Sequence, residues 1–132
     1  MIKTNSEIRV RYAETDKMGI VHHSRYLEWF EVARTDLMRE IGMPYAKCEE
    51  LGISMPLLEA FCKFFKPSLY DEVLTIEARV EKMPRASIVL NYTIFRNGEK
   101  LTEGFTKHAF VNSELKPMRL PNFLKEKFVK YF

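Results

Sequence analysis

The chain has 132 residues, 46% of them hydrophobic and 13% aromatic, which allows one core of real size and excludes a disordered or fibrous polymer. Lys and Arg number 21 against 18 Asp and Glu, a formal charge of +3 spread along the chain; without a basic stripe, nucleic acid is not an expected partner. No apolar run approaches the roughly 18 residues of a membrane span and no basic-then-apolar leader opens the sequence, so the expectation is a single domain over residues 1–132, cytoplasmic, with no transmembrane segment.

Ile8, Val10 and Tyr12 alternate with Arg9 and Arg11, which predicts a first strand over Glu7–Tyr12. The loop "AETDKMGIVHH" follows, with Gly19 as its flexible point. Ser24 is placed to cap a long helix in which Tyr26, Phe30, Ala33, Leu37 and Ile41 recur every three to four residues on one face. Glu28, Glu31, Asp36 and Arg39 fall off that face, and Glu31 and Arg34 are spaced to pair. Gly42 and Pro44 end the helix, and "YAKCEELG" predicts a short second one closed by Gly52.

The period then changes to alternation. Met55–Lys66 reads as a strand with Pro56 near its start, where a missing N–H is tolerated. Leu74–Val80 alternates apolar and polar, Ile88, Leu90, Tyr92 and Ile94 repeat the pattern, and Asn97-Gly98 is a strong hairpin signal. Leu101–Val111 continues as a strand interrupted by Gly104, and Phe123–Phe132 is a short amphipathic end, expected to dock on its own domain rather than on a membrane. Strand, long helix, short helix and four antiparallel strands predict an α+β fold in which the sheet wraps the long helix.

Asp16 lies about eight residues before that helix, so its carboxylate and the helix N-terminal N–H groups can face one small volume. The N-terminus carries roughly half a positive charge, a place for a carbonyl oxygen that becomes negative under attack. A carboxylate beside it suits acyl transfer, as a nucleophile or as a base for water. A carboxylate of ordinary basicity is a weak base at neutral pH by roughly 4 kcal/mol, whereas a nucleophilic carboxylate needs no proton; this leans slightly to the nucleophile. On spacing alone, Thr15-Asp16 more simply organises the turn through side-chain to backbone hydrogen bonds. His22 and His23 read equally as loop histidines, and with His108 the only other one, no metal site is expected. Cys48 and Cys62 lack ligand spacing and nothing calls for a disulfide. Lys82, Arg85, Lys107 and Arg119 are candidates to meet phosphates, although any one of them is ordinarily solvated surface.

The run "YAETDKMGIVHHSRYLEWFEVAR" resembles the signature of the hotdog-fold acyl-CoA thioesterases of the 4-hydroxybenzoyl-CoA thioesterase family, most closely its YbgC-like branch. Thr15-Asp16, Gly19-Ile20-Val21, His23, Tyr26 and the F-E-x-A-R of Phe30–Arg34 carry the likeness, and "KPSLYDEVLTIEARV" and "MRLP" extend it over essentially the whole chain. The resemblance implies a hotdog fold and hydrolysis of an acyl-CoA thioester to free acid and coenzyme A, with no cofactor and no metal. Asp16 falls on the family's catalytic carboxylate, and the backbone N–H at about His23 on the group that polarises the thioester carbonyl. Gly19, Val21, His22 and Tyr26 fall in the substrate site, His22 standing where the branch commonly has an aromatic residue. The coenzyme A arm is expected near Lys82, Arg85 and Ser87, and the chain is expected to form a homodimer with joined sheets or a homotetramer. Acyl carrier protein is a further candidate partner.

Hydratases of the same fold pair an Asp with a His five residues later, where this chain has Val21; dehydratases need a loop His, a helix Glu and a proline-rich context that is missing here. The second reading is a non-catalytic acyl-CoA or acyl-carrier-protein binding module, from which Asp16 is the discriminating residue.

Overall fold

The computed structural model describes residues 1–132. Strand β1 spans Ile2–Arg9, and a 3-10 turn at Tyr12–Glu14 leads to helix α1, Arg25–Glu40, and the short α2, Tyr45–Glu50. Strands β2 (Leu57–Phe64), β3 (Val73–Val80), β4 (Ser87–Arg96) and β5 (Glu99–Val111) follow, then a two-residue β6 (Pro117–Met118) and helix α3, Asn122–Val129. The antiparallel sheet runs β1-β3-β4-β5-β2, with β6 on the far end of β5.

The expected α+β arrangement is present. α1 buries Tyr26, Trp29, Phe30, Ala33, Leu37 and Met38 against Leu74, Ile76 and Ala78 of β3 and Leu90, Tyr92 and Ile94 of β4. The Phe30 ring stacks on Tyr92 at 4.2 Å, and each large side chain removed from water in this way contributes roughly 1.5–3 kcal/mol. Phe30 also lies over Gly104, so β5 is continuous where the sequence suggested an interruption: the glycine makes room for the helix. Asn97 and Gly98, both at positive φ (49° and 81°), make the β4–β5 hairpin as expected.

Three local expectations fail for identifiable reasons. β1 begins at Ile2 and ends at Arg9 instead of spanning Glu7–Tyr12. Its inward row includes Thr4 and Ser6, polar residues that hide the alternation; Ser6 Oγ donates to Asp36 Oδ2 of α1 at 2.6 Å. Ser24 adopts helical angles (φ −63°, ψ −20°) and its side chain caps nothing. Glu31 and Arg34 do not pair. Arg34 turns inward, donating from Nε to Tyr45 Oη (2.6 Å) and from Nη1 to Tyr92 Oη (3.4 Å).

Arg34 begins a buried chain of hydrogen bonds whose direction is determined at both ends. Tyr92 Oη meets Thr106 Oγ1 at 2.7 Å, Thr106 Oγ1 meets His108 Nε2 at 2.9 Å, and His108 Nδ1 meets the Met55 carbonyl at 3.0 Å. Arginine can only donate and a carbonyl can only accept. Tyr92 therefore donates to Thr106, Thr106 donates to His108 Nε2, and His108 donates from Nδ1. Burial, and then the Arg34 charge, lower the His108 imidazole from its ordinary 6.5 to about 4. The unfolded chain takes up this proton first, so the stability held by a neutral His108 is whole above pH 6.5, falls as the pH drops toward about 4, and is lost below that. Between pH 7 and pH 5 the expected loss is roughly 2 kcal/mol, a window above the usual carboxylate range. Denaturant titrations at the two pH values measure it, and a His108→Gln variant with the same pH dependence would assign the loss to other groups.

Candidate active site

The segment between β1 and α1 is held by its own main chain. Thr15 pairs with Val21 in an antiparallel bridge, Asp16 N donates to Ile20 O (2.8 Å), and Gly19 N donates to Asp16 O (3.0 Å). Gly19 sits at φ +79°, where a side chain would be strained; it shapes the loop and is not part of the groove wall. Asp16 Oδ1 accepts from Met18 N (2.8 Å) and Ile20 N (3.3 Å), which is the turn-organising role. Asp16 Oδ2 has no partner in the chain, so the same side chain holds the turn with one oxygen and presents the other.

Val21 N donates to Ser68 O (2.9 Å), and His22 N donates to Glu14 O (3.0 Å). Arg25 N donates to His22 O (3.0 Å), which starts the helix ladder. His23 N, one residue before the helix cap position, meets no acceptor within the chain. Tyr26 Oη and Ser68 Oγ are 3.2 Å apart and buried, and the Tyr26 ring packs edge-on to Phe64 at 4.8 Å. Asp16, Ile20, Val21, His22, His23 and Tyr26 thus form one wall of a groove of about 340 Å³, and Phe64 and Lys66 at the end of β2 help to form the other.

Glu14 is a second carboxylate of this segment that the sequence did not single out. It is buried, with Oε1 accepting from Arg11 N (2.8 Å) and Oε2 from Trp29 Nε1 (2.9 Å). Burial alone would raise its carboxyl, but these hydrogen bonds and the Arg11 charge outweigh that and hold it below its ordinary 4.5. With both oxygens engaged, Glu14 secures the loop to α1. The signal was available as an acid three residues after Arg11, but its indole partner lies fifteen residues away.

Lys82, Arg85 and Ser87 do not share the Asp16 groove. They line another, of about 410 Å³, at the β3–β4 turn beside Val89 and Asn91. An adjoining groove of about 500 Å³ brings Arg119 and Lys125, the latter from α3, next to Arg85. Glu81, the acid of that turn, faces Arg79 instead (3.5 Å). Four cations therefore surround one turn, and Lys125 was not anticipated because its place depends on how α3 docks. Lys107, by contrast, pairs with Glu59 (3.6 Å).

A family model described as Thioesterase-like superfamily matches residues 10–128. The chain belongs to this superfamily. Relatives agree within it. The acyl-CoA thioesterase YbgC of Haemophilus influenzae is 29% identical over 92% of this chain and 90% of its own. The crystal structure of the DHNA-CoA thioesterase of Staphylococcus aureus is 38% identical, with a TM-score of 0.93 over 99% of this chain and 91% of that one. A mutant of 4-hydroxybenzoyl CoA thioesterase complexed with 4-hydroxybenzoyl CoA is only 22% identical and speaks to the fold alone, with a TM-score of 0.87 over 97% of this chain and 99% of the other. The thioesterase hotdog fold, expected from the opening motif, is the fold of this chain. No helix is long and apolar enough to cross a membrane.

Proposed function

We propose that this thioesterase hydrolyses acyl-CoA thioesters to a free carboxylic acid and coenzyme A, with Asp16 as its catalytic carboxylate. The observation that carries the reading is one groove holding both an unengaged carboxylate oxygen, Asp16 Oδ2, and an unengaged main-chain donor, His23 N–H. The thioester carbon lies between them. Asp16 either attacks it, expelling the thiolate and leaving a mixed anhydride for water to cleave, or takes a proton from an attacking water. His23 N–H, backed by the positive end of α1, receives the developing oxyanion in either case. Tyr26, Val21 and His22 shape the groove, and the His22 and His23 rings pack together at 4.1 Å.

Lys82, Arg85, Arg119 and Lys125 offer the charge that the coenzyme A phosphates need, with Ser87 beside them. A homodimer supplies the missing proximity. β2 is an edge strand with Leu57, Leu58, Phe61 and Phe64 exposed across both of its faces, and pairing it with a second β2 covers that apolar edge and joins the sheets. The acyl pocket then lies at the subunit seam, and twice the chain's 15.6 kDa is the smallest mass expected in solution. A cytoplasmic location belongs to the same reading. The YbgC and DHNA-CoA relatives support coenzyme A as the carrier; a carrier-protein thioester presents the same phosphopantetheine arm and enters the test as a competitor.

The test is thiol release, followed with a colorimetric reagent, over short, long and aromatic acyl-CoAs and one acyl carrier protein thioester. Turnover of any acyl-CoA is the expected result. Tight binding across the panel without thiol release would support the binding-module reading instead.

A further inference from the structure

The structure gives the His22 ring a task that no plain aromatic ring performs. Ser24 N donates to His22 Nδ1 at 3.2 Å, and Ser24 Oγ lies 2.8 Å from the same nitrogen. A nitrogen that accepts the amide hydrogen carries none of its own, so the ring bears its hydrogen on Nε2 and the Ser24 hydroxyl donates as well. This is the work of a helix cap: an exposed side chain before the first turn satisfies an orphan N–H. Ser24, the residue with the expected capping chemistry, is itself the capped one.

Capping leaves an ordered result at the mouth of α1. The N–H of His22 is taken by the Glu14 carbonyl and the N–H of Ser24 by the His22 ring, so between them only the N–H of His23, a residue that lines the groove, is left without an acceptor. The two imidazoles pack at 4.1 Å with a 33° tilt, which steadies the His22–His23 peptide that carries this donor. Both rings line the groove with Asp16.

We infer that His22 is a positioning residue for the hydrolysis: its Nδ1 caps Ser24 and thereby aims the single free N–H of His23 at the thioester oxygen. This rests on the hydrolase reading above. Loss of the cap misdirects that donor without removing it, so the cost is smaller than the roughly 10²–10³-fold of deleting an oxyanion donor. Misdirection is felt in the transition state more than in the ground state, so kcat carries the change.

Two variants separate the acceptor from the ring. His22→Phe keeps an aromatic surface and removes the acceptor; His22→Asn removes the ring and restores a side-chain oxygen of a strong capping residue. His22 is exposed, so neither change threatens the core. On an acyl-CoA that the wild type turns over, His22→Phe is expected to lower kcat about tenfold with KM within about twofold, and His22→Asn to recover most of the loss. Equal kcat in all three proteins overturns the inference. So does an Asn variant as slow as the Phe variant, which would assign the effect to ring packing, or a rise in KM alone, which would make His22 a substrate contact. A wild type that releases no thiol from any substrate defeats the hydrolase reading itself, a result distinct from all of these.

Discussion

Asp16→Asn is expected to lower kcat by about 10²–10⁴-fold, the range of a lost general base or nucleophile, with little change in thermal stability. The separation of the two effects comes from the division of labour between the carboxylate oxygens. Oδ1 accepts from Met18 N and Ile20 N, and an asparagine carbonyl accepts the same two hydrogens. The turn, the Gly19 reversal and the bridge from Thr15 to Val21 therefore persist. Oδ2, the free oxygen, becomes an amide nitrogen that can neither attack a thioester nor take a proton from water. Asp16→Ala, in contrast, should lose activity and also loosen the loop, since both N–H groups then lose their acceptor. Initial rates of thiol release and melting curves on the two variants measure the contrast. An Asn variant that turns over short and long acyl-CoAs at the wild-type rate would remove Asp16 from the chemistry.

Gly104→Ala is expected to destabilise the fold by about 3 kcal/mol or more, an overpacking cost at the upper end of its range. Gly104 lies on the inward row of β5, opposite Tyr92 of β4 and Cys62 of β2. A methyl group there would press on the Phe61 main-chain oxygen and stand 2.9 Å from the Phe30 ring. The oxygen belongs to a paired strand and the ring is fully buried on Tyr92, so neither can yield cheaply. The constraint is space: Gly98, at φ +81° with nothing within 4 Å of its absent side chain, is glycine for conformation instead. Because β2 also carries Phe64 to the groove wall, a displaced strand should lower activity along with the denaturant midpoint. A Gly104→Ala protein with the wild-type midpoint would show that α1 does not approach the sheet this closely in solution.

The parts of the fold that were legible share one property: their signal lies within a few residues. The alternation of β3 and β4, the α1 face from Tyr26 to Ile41, the Asn97-Gly98 turn and the glycine after α1 each follow from local sterics and a period. β1 was misplaced because its two buried polar residues look like surface, and Ser6 is made acceptable by Asp36, thirty residues on. Local spacing permits a pair of Arg34 with Glu31, but the better partners are two tyrosine hydroxyls contributed by α2 and β4. The Ser24 cap fails for the same reason on a smaller scale, since its hydroxyl lies on the neighbouring imidazole (2.8 Å) instead of on a helix N–H.

For the site, short-range patterns supply the cast: an aspartate in a glycine-containing turn, two histidines and a helix start in an order resembling the thioesterase signature. The same resemblance points to Lys82, Arg85 and Ser87, which share one groove at the β3–β4 turn. The tertiary structure decided what each member is free to do. It spent one oxygen of Asp16 on the turn and left the other open, engaged both oxygens of Glu14, assigned the His22 ring to Ser24, and left His23 N–H without a partner. It also put the cationic turn and the Asp16 groove in separate places on one chain and left β2 bare at the sheet edge. The reason is physical: periodicity and turn chemistry are short-range properties of the chain, whereas the remaining capacity of a hydrogen-bonding group depends on every partner that folding brings to it.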